Sequence, residues 1–137
     1  MKFTLDNDTV LSINEYLKQF NVKYVFCGDF SLYLNGIKEV NEFNDVDIDF
    51  YESTQDEKDH INVGFILDTY PIDKLRPIDG IPLKFHTIKL NDEDISISDL
   101  DYELEIREYL QEHNLSLHPE EQVEKIRLIK EYLNVGV

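Results

Sequence analysis

Basic side chains are scarce in this 137-residue chain: 13 Lys and Arg stand against 29 Asp and Glu, a formal net charge of −16. A surface that negative repels phosphate polymers, so any nucleic-acid partner would need a local basic patch. Cysteine occurs once, at Cys27 in the apolar run Val25-Phe26-Cys27. One cysteine excludes an internal disulfide, and its setting reads as a buried small residue rather than a nucleophile. No run approaches the ~20 apolar residues of a membrane span, and Met1 to Asp6 lacks the apolar stretch of a signal peptide. The expectation is a soluble cytoplasmic protein with no membrane partner. Linkers rich in Pro, Gly or Ser, internal repeats and low-complexity tracts are missing too, which leaves one domain over 1–137.

What is present suffices for a core: 42% of residues are hydrophobic and 12% aromatic. Val10, Ile13, Tyr16, Leu17 and Phe20 recur at three- and four-residue steps, which predicts a first helix capped by Asn7 or Asp8 and ending near Asn21. Val22 to Cys27 reads as a buried strand, Gly28-Asp29 as a break, and Phe30 to Asn35 as a short helix that stops at Gly36. After a polar connector over 38–44, Val46, Ile48 and Phe50 alternate with Asp47, Asp49 and Tyr51, the period of a strand with one carboxylate-bearing face. The charged stretch 51–60 reads as a loop, and strands are expected at Val63 to Leu67 and Ile81 to Leu90. Residues 96–137 read as a helical C-terminal part. Ser96 or Ser98 caps one helix through about His113, and Pro119 occupies the first turn of the last, where Val123, Ile126, Ile129 and Leu133 face one way.

Residues two apart on a strand share a face with Cα atoms ~6.5 to 7 Å apart, so Asp47 and Asp49 can converge on one ion or on two neighbouring ions. Two carboxylates ~5 Å apart repel by ~3 kcal/mol at an effective dielectric of ~20, a cost that a divalent cation reverses. Hard oxygen ligands suit Mg2+ or Mn2+ rather than zinc. Asp45 is a third acid on the same face and leaves the register open by one step. The plainer alternative is that Asp45, Asp47 and Asp49 form the solvated face of an ordinary strand in an acid-rich chain.

The segment Lys23-Tyr24-Val25-Phe26-Cys27-Gly28-Asp29-Phe30-Ser31-Leu32-Tyr33-Leu34-Asn35-Gly36, followed by Asp47-Ile48-Asp49-Phe50, resembles the polymerase beta-like nucleotidyltransferase superfamily. More narrowly, it is similar to the small bacterial and phage nucleotidyltransferase-like proteins, antitoxin-system relatives among them. The similarity is densest over residues 10 to 51 and extends weakly to Pro119-Glu120-Glu121-Gln122-Val123-Glu124-Lys125. The resemblance implies an α+β fold, a nucleotidyltransferase-like mixed β-sheet flanked by α-helices. It also implies a metal-dependent enzyme that moves a nucleoside monophosphate from an NTP to an acceptor, whether RNA, protein or small molecule. Gly28 lets the backbone turn tightly beside the triphosphate, the following helix offers N–H groups to phosphate oxygens, and the acids hold the metal that neutralises the leaving pyrophosphate. Ser31 is either a phosphate contact or a cap or packed hydroxyl. Lys125 is either the family's triphosphate lysine or an exposed helix lysine beside Arg127 and Lys130.

The sequence departs from the family pattern at three places, and two of them, Asp29 and His86, together with the charge of −16 favour an alternative. Asp29 stands where a second small residue is usual, and an acid there satisfies the N–H groups and dipole meant for phosphate. The connector before the acid pair is long and carries Lys38 alone as its basic residue. The strand Pro82-Leu83-Lys84-Phe85-His86-Thr87-Ile88 presents His86 where the family has a third carboxylate, so His86 is either a base or ligand or a hydrogen-bonded structural residue. His60, His113 and His118 have no zinc-ligand spacing, and no Walker loop or Ser-His-Asp signature occurs. The alternative is a catalytically degenerate relative that acts as an acidic binding or regulatory module, its partner a basic protein.

Overall fold

The computed structural model describes residues 3–20, 22–51, 65–66, 70–74 and 78–134. Its elements run α1 (Asn7–Lys18), β1 (Lys23–Phe26), α2 (Gly28–Leu34), β2 (Val46–Tyr51), β3 (Phe65–Ile66), β4 (Tyr70–Lys74), β5 (Phe85–Leu90), β6 (Glu93–Ser98), α3 (Leu100–Glu112) and α4 (Pro119–Leu133). The six strands form one sheet in the order β3-β4-β2-β1-β6-β5. It is mixed: β1 runs antiparallel to β2 and parallel to β6, and β2 runs parallel to β4. The outer pairs β3–β4 and β5–β6 are antiparallel. This is the α+β architecture expected, a mixed sheet with helices against it. No helix among the described residues is long and apolar enough to cross a membrane.

The main core lies between α1 and one face of the sheet. Val10, Ile13 and Leu17 meet Phe26, Val46, Ile48, Phe50, Ile95 and Ile97, the inward-pointing positions of three central strands. Phe30 of α2 packs on Phe26 with ring centroids 5.0 Å apart. A second cluster joins α2 and the connector to the C-terminal helices through Leu32, Ile37, Val40, Phe43, Leu100 and Ile129.

Several boundaries differ from the sequence expectation, each for a local reason. Asp6, rather than Asn7 or Asp8, caps α1: its Oδ1 accepts from the Thr9 N–H at 2.7 Å and the Thr9 hydroxyl at 2.8 Å, and the helix stops at Lys18. Ser96 and Ser98 belong to β6, and α3 starts at Leu100 behind Asp99. The serines looked like caps, yet Ile95 and Ile97, which alternate with them, are fully buried, which is the strand period. The turn feeding β6 is Asn91-Asp92, both at positive φ (49° and 67°), and this pair closes the β5–β6 hairpin. β5 begins only at Phe85, and Ile81 instead pairs with Ile78 in an isolated bridge. Pro119 does sit in the first turn of α4, but Val123 and Leu133 of the expected apolar face are exposed and only Ile129 is fully buried. Of the loop expected at 51–60, Tyr51 belongs to β2, and the rest, with His60, lies outside the described residues.

Ile97 pairs with Phe26 in the middle of the sheet and is fully buried. Ile97→Ala is expected to cost about 2–5 kcal/mol in urea denaturation, against less than about 0.5 kcal/mol for Val123→Ala.

Candidate functional site

The site forms where β1 ends and β2 and β4 run side by side. The parallel register places Asp47 opposite Asp73, and Asp45 lies just before β2. One carboxylate oxygen from each of Asp45, Asp47 and Asp73 falls within 4.8 Å of the others. Asp49, two residues further along β2, is not in this trio. It is 4% exposed and lines the same cavity as Asp47. Asp73 was missed in the sequence because Pro71 demotes Tyr70 to Lys74 as a strand; β4 carries that proline next to the short strand β3.

Three neighbouring acids and burial act on Asp47 together. Desolvation first, then Asp45, Asp73 and Asp29, push its carboxyl well above the ordinary carboxylate range. The Asp73 carboxyl is raised as well, by desolvation and by Asp45. Oxygen donors held this way, with their mutual repulsion uncompensated, fit a hard divalent cation such as Mg2+ or Mn2+.

Gly28 makes the close approach possible. Its φ is +64°, and a Cβ there would fall 1.9 Å from Asp47 Oδ2. The adjoining Cys27 N–H donates to the Asp47 carbonyl at 2.9 Å, so the backbones of the two residues are tied as well. Burial pushes the Cys27 thiol far up, which removes any thiolate chemistry at this position.

Behind the glycine turn runs a chain of buried polar groups. Glu103, 4% exposed, accepts from the Gly28 N–H at 3.2 Å and lies 2.8 Å from the Ser98 hydroxyl. Arg107 donates to Glu103 at 3.3 Å, to Asp29 at 3.1 Å and to the Gln122 side chain at 2.8 Å. Lys125 holds the other Asp29 oxygen. Burial raises the Asp29 carboxyl, but Arg107 and Lys125 outweigh it and hold it below its ordinary value.

The sequence-derived candidates thus divide. Gly28, Asp29, Asp47 and Asp49 line one cavity of about 380 Å3 with Glu103 and Arg107. Lys125 borders a second cavity of about 330 Å3 that shares Asp47 and Gln122 with the first and is walled by Leu115 and Leu117. Ser31 is fully buried; its hydroxyl donates to the Ser98 carbonyl at 3.0 Å, so it is a packed hydroxyl. His86 is on β5 at the far edge of the sheet, with β6 and β1 between it and β2, and its Nδ1 is 2.5 Å from Asp99 Oδ1. The third acid beside Asp47 comes from β4, on the other side. Glu103 and Arg107 escaped the sequence reading because an acid and a base four apart on a helix look like an exposed pair.

The architecture is similar to a solved structure, an antigenic nucleotidyltransferase-like protein from Paracoccidioides brasiliensis, with a TM-score of 0.64 over 94% of this chain and 78% of that one. The two sequences are 15% identical, so the likeness is one of fold. No protein-family model matches the sequence, and no curated protein does. The chain has a nucleotidyltransferase-like fold, and a cluster of three aspartates lies at its central strands.

Two outcomes test this geometry. Since the folded-state carboxyl of Asp47 is raised above its unfolded value, its contribution to stability is full below roughly pH 4 and is lost as pH rises toward the elevated value. The metal-free protein is therefore expected to melt at progressively lower temperature from mildly acidic to alkaline pH, and Asp47→Asn to flatten that slope. Gly28→Ala is expected to displace Asp47 and to remove any thermal shift produced by Mn2+; an unchanged shift would show that the turn has room to spare.

Proposed function

We propose that this chain is a metal-dependent nucleotidyltransferase that moves a nucleoside monophosphate from an NTP to an acceptor hydroxyl. The observation that carries the reading is the convergence of Asp45, Asp47 and Asp73 beside a glycine turn, with Asp47 lining two adjoining cavities. The acceptor hydroxyl oxygen would attack the α-phosphorus as its proton passes to an aspartate carboxylate at the site, the bond from that phosphorus to the bridging oxygen would break, and pyrophosphate would leave with the released electron pair. A bound Mg2+ or Mn2+ supplies charge neutralisation for the polyphosphate and its leaving group. Asp45, Asp47 and Asp73 would hold it, with Asp49 close by in the cavity wall.

The chain's own contribution is placement. Two adjoining cavities that share Asp47 give room for the donor nucleotide and the acceptor at one carboxylate cluster, and holding two reactants in register supplies much of the rate. Lys125, in the wall of the second cavity, can meet phosphate oxygens there.

One observation favours the second reading, a degenerate fold acting as an acidic binding module. The Gly28 N–H, the first donor of the turn, is already taken by the buried carboxylate of Glu103. The partner in that case is a basic protein, attracted by the charge of −16.

Calorimetric titration of ATP, GTP, CTP and UTP with Mg2+, with Mn2+ and with chelator separates the two. Nucleotide transfer requires metal-dependent binding of at least one triphosphate, weakened by more than about tenfold in Asp47→Asn or Asp73→Asn. Absence of binding with either metal, together with salt-sensitive capture of a basic protein, would establish the second reading instead.

A further inference from the structure

Asp29 is held between two cations. Its two carboxylate oxygens are divided between Arg107 and Lys125, one on each C-terminal helix; Arg107 lines the first of the two adjoining cavities that share Asp47, and Lys125 the second. An acid held by two convergent cations from separate elements is the arrangement a phosphate group would make in the same place. The side chains of Asp29 and Lys125 remain 28% and 23% exposed, whereas that of Arg107 is 8% exposed. The lysine end of the pair is therefore reachable from solvent.

We infer that Asp29 is an internal competitor for Lys125 and Arg107, so that an incoming polyphosphate binds by displacing a carboxylate already seated on them. The inference rests on the nucleotidyltransferase reading for its ligand class. Charge counting supports the competition: Asp29 and Glu103 balance Arg107 and Lys125 two against two, and the cluster as folded offers no net positive charge. Arg107 and Lys125 hold the Asp29 carboxyl below its ordinary value against the effect of burial, which favours its ionised form. Because both partners belong to one folded chain, the carboxylate competes at high effective concentration. The consequence is a raised threshold. Ligands with a single phosphate are poor competitors, while a triphosphate can displace the carboxylate and engage further groups.

Neutralising Asp29 leaves Arg107 paired with Glu103 and hydrogen bonded to Gln122, so no buried cation is stranded. Lys125 is left without its carboxylate and open to the cavity.

The test is calorimetric titration of inorganic tripolyphosphate, with chelator present, into the full chain. Asp29→Asn is expected to bind at least about fivefold to tenfold more tightly than the wild-type chain. Asp94→Asn removes the same charge from an exposed site paired with Lys89 and is expected to change nothing. In Asp29→Asn with Lys125→Ala the gain should disappear. Equal or weaker binding by Asp29→Asn, no binding by any of the proteins, or a gain that survives loss of Lys125 would overturn the inference. Should Asp29→Asn not fold, Lys125→Ala alone decides: wild-type binding that it leaves undiminished overturns the inference, and lost binding supports it. Metal is excluded throughout, so failure here leaves the aspartate cluster untouched. Conversely, metal-dependent nucleotide binding that ignores Asp47 would sink the transferase reading and leave this comparison standing.

Discussion

The close approach of Asp47 to Gly28 is the constraint on which the rest of the site depends. A carboxylate pressed onto a bare Cα, within reach of two further acids, is an unfavourable arrangement that the chain maintains by surrounding it with rigid structure. β2 is fixed on one face by Val46, Ile48 and Phe50 in the core, and the other face therefore has no freedom to turn its aspartates away. The glycine is held from behind by Glu103, which is itself tied to β6 through Ser98 and to α3 through its own helix. Local repulsion is thus sustained by packing elsewhere, as strained functional sites generally are.

The buried polar chain behind the turn explains why the C-terminal helices matter to a site on the sheet. Arg107 of α3 and Lys125 of α4 both end on Asp29, and the second apolar cluster joins the same helices to α2 and the connector. A buried guanidinium is tolerated only with excellent compensation, and Arg107 has two carboxylates and an amide oxygen. Asp29 looks in the sequence like an anion that spoils a phosphate site. In the structure it also neutralises Arg107 and Lys125, the two cations that meet on it.

The sequence showed the fold clearly where periodicity was strong. α1, β1 and β2 stand close to their expected bounds because their apolar residues are buried at helix and strand spacing. The aspartate pair on β2 was legible for the same reason. Legibility failed where a residue's meaning depends on distant chain. Asp73 is an ordinary acid until the parallel pairing of β4 with β2 brings it beside Asp47, and nothing within a few residues of it announces that pairing. Ser98 resembled a helix cap because caps and strand ends favour the same small hydroxyls, and only the burial of Ile95 and Ile97 separates the two. His86 matched a family position in local pattern, but sheet order places it on the edge strand β5, with β6 and β1 between it and β2.

The lone thiol at Cys27 closes the floor of the cavity, behind the carboxylates, and is only 1% exposed. While the chain is folded, a soluble alkylating reagent has neither access to that sulfur nor a thiolate to attack. Modification of Cys27 must therefore wait for local opening around the end of β1. The single cysteine is a built-in clock for opening of this region, and its labelling rate measures how tightly anything bound between the helices and the sheet keeps them closed.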